Sequence, residues 1–168
     1  MKRLVDQIVN AYKVNAKEKG LLLKKNLLKE QLFVKADQDR LYEFIDNLVS
    51  NAIKYTHEGK VLVTTSIEKN QAVIRVEDTG EGISKEHLPH LGKKFYRVNQ
   101  HISDKEKDSL EAITRPGGTG LGLYVSFGLI KLMKGKLKVE SKVNEGSSFS
   151  IKIPFVKRSS IFERLRNS

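Results

Sequence analysis

The fold class predicted here is α/β (α+β): a two-layer α/β sandwich whose mixed, mostly antiparallel sheet is covered on one face by helices. Three observations predict it. Several segments alternate apolar and polar residues with period two, giving each strand one face to bury and one to leave solvated. Two other segments carry apolar residues at the 3.6-residue period, so helices are available to cover the apolar face. A chain of 168 residues with 39% hydrophobic and 30% charged residues fits one soluble domain with a real core.

From the N-terminus, Leu4, Ile8, Ala11 and Val14 or Ala16 fall at near-helical spacing over residues 3–19, and Lys19-Gly20 is a stop signal. Leu21 to Leu28 alternates poorly but suits a strand, and Leu32-Phe33-Val34 suits a short second one. Asp37 stands where a helix cap belongs. The helix it opens runs from Gln38 to Tyr55 with Leu41, Ile45, Leu48 and Ala52 as its apolar stripe. At about 100° per residue, Asn47, Asn51, Lys54 and Tyr55 share a second face beside that stripe. Alone, such a face suits solvent. Thr56-His57-Glu58-Gly59 then ends the helix in a turn.

The strands that follow are cleaner. Val61, Val63, Thr65 and Ile67 fall on one face of the first. Ala72, Ile74 and Val76 fall on one face of the second, with Val73, Arg75 and Glu77 opposite. Leu137 and Val139 mark a further strand, joined through Asn144-Glu145-Gly146 to one carrying Phe149, Ile151 and Ile153. Regular patterning fails between Gly80 and Gly122. Residues 97–118 are polar, contain Pro116 and close on Gly117-Gly118, which predicts a mobile cover over a site. An apolar helix from Leu121 to Met133 follows, ending at Lys134-Gly135. The expected domain spans residues 1–156, and residues 157–168 read as a polar tail with a short helix from Ile161 to Leu165.

Composition narrows the function classes. No cysteine is present, so disulfides and thiolate metal sites are excluded. The opening residues lack the apolar core of a signal peptide, and no stretch approaches the roughly 20 apolar residues of a membrane span. A net charge of +11 calls for a polyanionic partner. The basic residues are spread out and not interleaved with aromatics, which argues against nucleic acid.

Two more stretches carry chemistry. Asp78-Thr79-Gly80-Glu81-Gly82-Ile83 ends the Ala72–Val76 strand, and strand parity points Asp78 inward with Ile74 and Val76. An inward carboxylate needs a donor. Loop N–H groups in a plain turn would serve, as would the exocyclic amine of a purine, which the neighbouring glycines would let approach the backbone. Gly117-Gly118-Thr119-Gly120-Leu121-Gly122-Leu123 leads straight into a helix, either as an anion site or as a ligand-free helix entry. It is not a P-loop, which would end in Gly-Lys-Ser/Thr. Nor is it a dinucleotide fingerprint, since it follows a long loop late in the chain.

In order, the Asn-bearing helix, Asp78-x-Gly80-x-Gly82, Phe95-Tyr96-Arg97, the long loop and Gly118-x-Gly120-x-Gly122 resemble the catalytic, ATP-binding domain of sensor histidine kinases. The wider superfamily includes gyrase, a heat-shock chaperone and the mismatch-repair protein MutL. The resemblance covers about residues 1–156. Asn47-x-x-x-Asn51-Ala-x-Lys54-Tyr55 looks like the N box, Phe95-Tyr96-Arg97 the end of the F box, and the two glycine stretches the two glycine boxes.

The resemblance implies ATP and Mg²⁺ as cofactors. Asn51 would hold the Mg²⁺, with Asn47 beside it on phosphate or metal; amide oxygens suit this hard cation. Lys54 would neutralise phosphate charge, Tyr55 and Tyr96 would line the nucleotide, and Asp78 would accept the adenine amine beside Gly80, Gly82 and Ile83. Arg97 and Arg115 would reach the β- and γ-phosphates from the two ends of a flexible ATP lid, with the run Gly117 to Leu123 completing the site. Ser147 or Ser148 would reach the adenine through water. The implied partner is the dimerisation hairpin that carries the phosphorylated histidine in these kinases, with a response regulator indirectly. The implied location is cytoplasmic, with membrane anchoring of a longer protein left open.

Several features depart from the family or choose within it. None of His57, His87, His90 and His101 lies on a hairpin of that kind, so the acceptor histidine is expected outside this chain. Gly92 stands where the F box usually offers its first Phe, which predicts weaker anchoring of the lid, and the lid is longer than is common. The hydrolytic members place a water-activating Glu where this chain has Asn47, which cannot take a proton at neutral pH. Phosphoryl transfer to protein is therefore expected over rapid hydrolysis. Two alternatives are a free-standing serine kinase of the anti-sigma type and a nucleotide-gated binding module without transfer chemistry.

Overall fold

The structure is a computed structural model and describes residues 1–30, 33–34, 36–93 and 122–156. In chain order the elements are α1 (Lys2–Ala11), α2 (Lys13–Glu18), β1 (Leu22–Asn26), β2 (Phe33–Val34), α3 (Gln38–Lys54), β3 (Lys60–Glu68), β4 (Gln71–Asp78), a 3₁₀ turn at Leu88–His90, α4 (Gly122–Leu132), β5 (Lys136–Lys142) and β6 (Gly146–Val156). The strands form one six-stranded sheet in the order β1-β3-β4-β6-β2, with β5 also on β6. Among the described residues only β1 pairs in parallel, with β3; the other pairings are antiparallel. The mixed, mostly antiparallel sheet and its one-sided helical layer are as the alternation predicted.

The core lies between the layers. Val5, Ile8 and Val9 of α1 and Phe44, Ile45 and Val49 of α3 meet Val61, Val63, Ile74, Val76, Ile151 and Ile153 of the strands. Helix α3 is the middle helix, touching α1, α4, β3 and β4. Its buried arc accordingly includes Phe44, Val49 and Ile53 as well as the predicted stripe. Asp37 caps it, its Oδ1 accepting from the Asp39 and Arg40 N–H groups at 3.0 Å each.

Four local readings need correction. The single helix expected over residues 3–19 is two, because the backbone turns at Tyr12 (φ −90°, ψ 1°). The N-box helix ends at Lys54, one residue before Tyr55. The strand expected from Leu21 to Leu28 is limited to Leu22–Asn26. Val73, assigned to the solvent face, is 1% exposed. Its cross-strand partner is Lys152, and Lys152 and Arg75 both pair with Glu68 on that face, so long side chains stand around Val73. The Asn144–Gly146 turn is present, with left-handed backbone at Asn144 and Gly146 (φ 62° and 99°). The expected lid and C-terminal tail lie outside the described residues.

Candidate nucleotide site

Asn47 and Asn51 lie one turn apart on α3. The Asn51 Nδ2 donates to Asn47 Oδ1 at 3.1 Å. That bond leaves Asn51 Oδ1 without a donor among the described residues. It also leaves Asn47 Nδ2 buried with no partner among the described residues, the one side-chain atom so placed. Burying a donor unmatched costs about 1–3 kcal/mol, so a site that keeps one is shaped for an acceptor from outside. Farther along, the Lys54 ammonium sits 5.1 Å from the centroid of the Tyr55 ring, and Tyr55 is 37% exposed.

Asp78 ends β4 in register with Val61 of β3 and Ser147 of β6, on the inward face that parity assigns to it. The N–H groups of Gly80 and Ser147 donate to its Oδ1 at 2.9 and 3.2 Å. The second oxygen, Oδ2, has no donor among the described residues. Burial raises the Asp78 pKa above the ordinary aspartate value, and the two N–H groups only partly oppose that. The turn reading accounts for Oδ1, and Oδ2 is left with acceptor capacity among the described residues.

Glycines let this end of β4 meet its neighbours. A Cβ on Gly80 would stand 2.2 Å from the Tyr55 carbonyl oxygen, and one on Gly146 would stand 1.9 Å from that of Asp78. The Glu81 N–H donates to the Tyr55 carbonyl at 3.1 Å, joining the first glycine box to the end of α3. Gly82 takes φ 69° against the Lys142 carbonyl. The Ile83 N–H donates to Ser141 Oγ at 2.8 Å. Ser147 acts on Asp78 through its backbone, while its hydroxyl lies 2.9 Å from Ser141 Oγ. The structure thus brings together Asn47, Asn51, Lys54, Tyr55, Asp78, Gly80, Gly82, Ile83 and Ser147.

Of the remaining predicted residues, Gly122 and Leu123 open α4. Tyr96, Arg97, Arg115, Gly117, Gly118, Thr119, Gly120 and Leu121 lie outside the described residues. Three supporting residues carry no mark in the sequence. Ser141 anchors the Ile83 loop, and nothing distinguishes one serine in a strand as an anchor. Lys19 donates to backbone carbonyls at the end of α3, a contact 34 to 37 residues away in sequence. Phe127 of α4 is the third: its ring carbons stand 2.7 Å from where a Gly92 Cβ would be. A ring from α4 fills the space beside the residue that departs from the F box.

Comparison with known proteins places this arrangement in a family. The family model for "Histidine kinase-, DNA gyrase B-, and HSP90-like ATPase" matches residues 36–157. The chain belongs to this family. It is 35% identical over 133 residues to sensor histidine kinase RppB of Synechocystis, covering 79% of this chain and 27% of that protein. It is 31% identical over 152 residues to sensor protein SrrB of Staphylococcus aureus, covering 90% of this chain and 24% of that protein. The chain therefore spans about a quarter of the length of these relatives. Among solved structures, full-length ShkA in complex with AMPPNP superposes with a TM-score of 0.75 at 25% identity, over 93% of this chain and 30% of that one. The catalytic domain of histidine kinase ThkA superposes with a TM-score of 0.74 at 24% identity, over 92% and 91% of the two chains, a likeness of fold.

Proposed function

We propose that this chain is the ATP- and Mg²⁺-binding catalytic domain of a sensor histidine kinase. It would deliver the γ-phosphate of ATP to a histidine on a dimerisation hairpin outside this chain. The observation that carries the reading is the divided Asp78 carboxylate: one oxygen is fixed by two backbone N–H groups, and the other has no donor among the described residues. An adenine amine supplies the missing donor, and the depth of the site makes that bond worth more than it would be in water.

The asparagine pair fits the other half of the ligand. Among the described residues Asn51 Oδ1, a hard neutral oxygen, has no donor and is suited to Mg²⁺, and Asn47 Nδ2, with no acceptor there, is a donor suited to a phosphate oxygen. Held through Asn51 Oδ1, Mg²⁺ would supply charge neutralisation at the phosphates. Lys54 adds a cation at the same end of α3, and Arg97, Arg115 and the Gly117–Leu123 run are assigned to the β- and γ-phosphates. Asn47 has no basic oxygen or nitrogen with which to activate water, so the bound nucleotide waits for a nucleophile from another domain.

Relatives with sensor kinase names support a hairpin as direct partner and a response regulator as indirect one. No helix among the described residues is long and apolar enough to cross a membrane. The deciding assay mixes the chain with its candidate hairpin and γ-labelled ATP. Acid-labile phosphohistidine on the hairpin is expected; label confined to serine would replace this reading with the serine-kinase one.

A further inference from the structure

Helix α3 carries Asn47, Asn51 and Lys54, while β4 carries Asp78, so any ligand that meets both needs α3 held in fixed relation to the sheet. Most of that relation comes from the packed core, whose driving force is non-directional. Directional ties add to it by registering α3 along its axis, and two come from the same short segment. The Tyr12 hydroxyl donates to Asp46 Oδ2 at 3.1 Å, one residue before Asn47. The Lys19 ammonium donates to the Ile53, Lys54 and Thr56 carbonyls at 2.8, 3.0 and 3.4 Å. The fourth carbonyl of this end, that of Tyr55, accepts from the Glu81 N–H.

Tyr12 and Lys19 flank α2 on either side. Their contacts on α3 fall at Asp46 and at Ile53 to Thr56, so they bracket the stretch that bears both asparagines and Lys54. The carbonyls at a helix C-terminus have no intrahelical donors and carry partial negative charge, which makes an ammonium their natural partner. We propose that Tyr12 and Lys19 are positioning residues that fix the Asn47–Lys54 stretch of α3 relative to Asp78, and so set how well metal and phosphate are held once the base is bound. This rests on the nucleotide-binding reading above. Neither residue touches the ligand; both act through the backbone and Asp46.

The measurement is the gain in ADP affinity that Mg²⁺ confers, obtained by calorimetry with and without the metal. Tyr12→Phe keeps the ring and removes only the donor. Lys19→Met keeps the stem and removes the charge. Each is expected to shrink the Mg²⁺-dependent gain by about threefold to tenfold, the range set by losing one or a few hydrogen bonds of this kind, while Mg²⁺-free ADP affinity, governed by Asp78, holds within about twofold. Lys19→Arg should restore most of the gain. Lys25→Met breaks an ion pair to Asp6 near the same segment and serves as control, with the gain unchanged. A merely structural role predicts a lower melting temperature with the gain intact in both Tyr12→Phe and Lys19→Met, and that result overturns the inference. Should Lys19→Met not fold, Tyr12→Phe alone decides. A wild-type chain that shows no Mg²⁺-dependent nucleotide binding would instead overturn the proposed function.

Discussion

Asp78→Asn separates recognition from stability at one atom. In the folded chain Oδ1 accepts two backbone N–H groups, and an amide oxygen can still accept both. The change falls on the other branch, where an NH₂ donor replaces the oxygen that would face the adenine amine. A charge-assisted bond worth about 1.5–3 kcal/mol is lost, and two opposed donors add about 1 kcal/mol or more. Adenine-nucleotide affinity should therefore fall by about 2.5–4 kcal/mol, or about 60-fold to 700-fold at 1.4 kcal/mol per decade. Stability should barely move. Burial already raises the Asp78 pKa, so the charge is a cost of the fold, and an uncharged amide relieves it while weakening two hydrogen bonds. The expected change in melting temperature is within about 2–4 °C, the equivalent of about 1 kcal/mol for a domain of this size. Titration calorimetry with ADP and a thermal melt test both halves. ITP, whose base carries an oxygen in place of the amine, should lose much less affinity than ATP. Equal binding of ADP by wild type and mutant would refute the assignment of Asp78, and equal losses for ATP and ITP would refute the donor–acceptor reasoning.

Other outcomes follow from neighbouring features. The carboxylate form of Asp78 is the one that accepts an amine, so nucleotide affinity should decline on acidification at a higher pH than an ordinary aspartate would give, and binding isotherms across mildly acidic pH would show it. For stability the sign is opposite: with its folded pKa above the unfolded one, this group contributes most below the unfolded value, and the contribution is lost as pH rises through the folded value. Gly146→Ala puts a Cβ against the Asp78 carbonyl at φ 99° and should cost at least about 2 kcal/mol, a fall of several degrees in melting temperature. Asp37→Ala removes the α3 cap and should lower stability by about 1 kcal/mol in urea unfolding, with nucleotide affinity unchanged.

Local periodicity and motif order make much of this molecule legible in its residues alone. The alternation in Lys60–Glu68 and Gln71–Asp78 fixes which side chains face the helices, so even the inward aim of Asp78 follows from parity. What stays hidden depends on contacts between residues far apart in sequence. A turn at Tyr12 breaks an otherwise even helical pattern and sets the hydroxyl on Asp46. Val73 looks solvated until β6 brings Lys152 into register with it. Gly92 looks like a lost anchor, because nothing in the F box says that Phe127 fills the space from another element.

The placement of Asp78 has a bearing on how the site would fail. It sits on β4, paired along its length with β3 on one side and β6 on the other. Such a strand opens only when the whole sheet opens, so its amide protons should exchange on the timescale of global unfolding. The end of α3 has no strand ladder on either side and is tied by the Lys19 ammonium and the Glu81 N–H, so it can loosen before the sheet does. Under the proposed function, base recognition and metal retention would thus belong to regions of different local stability. Under rising denaturant the chain should stop discriminating Mg²⁺-loaded from metal-free nucleotide first, and stop recognising adenine only when it unfolds.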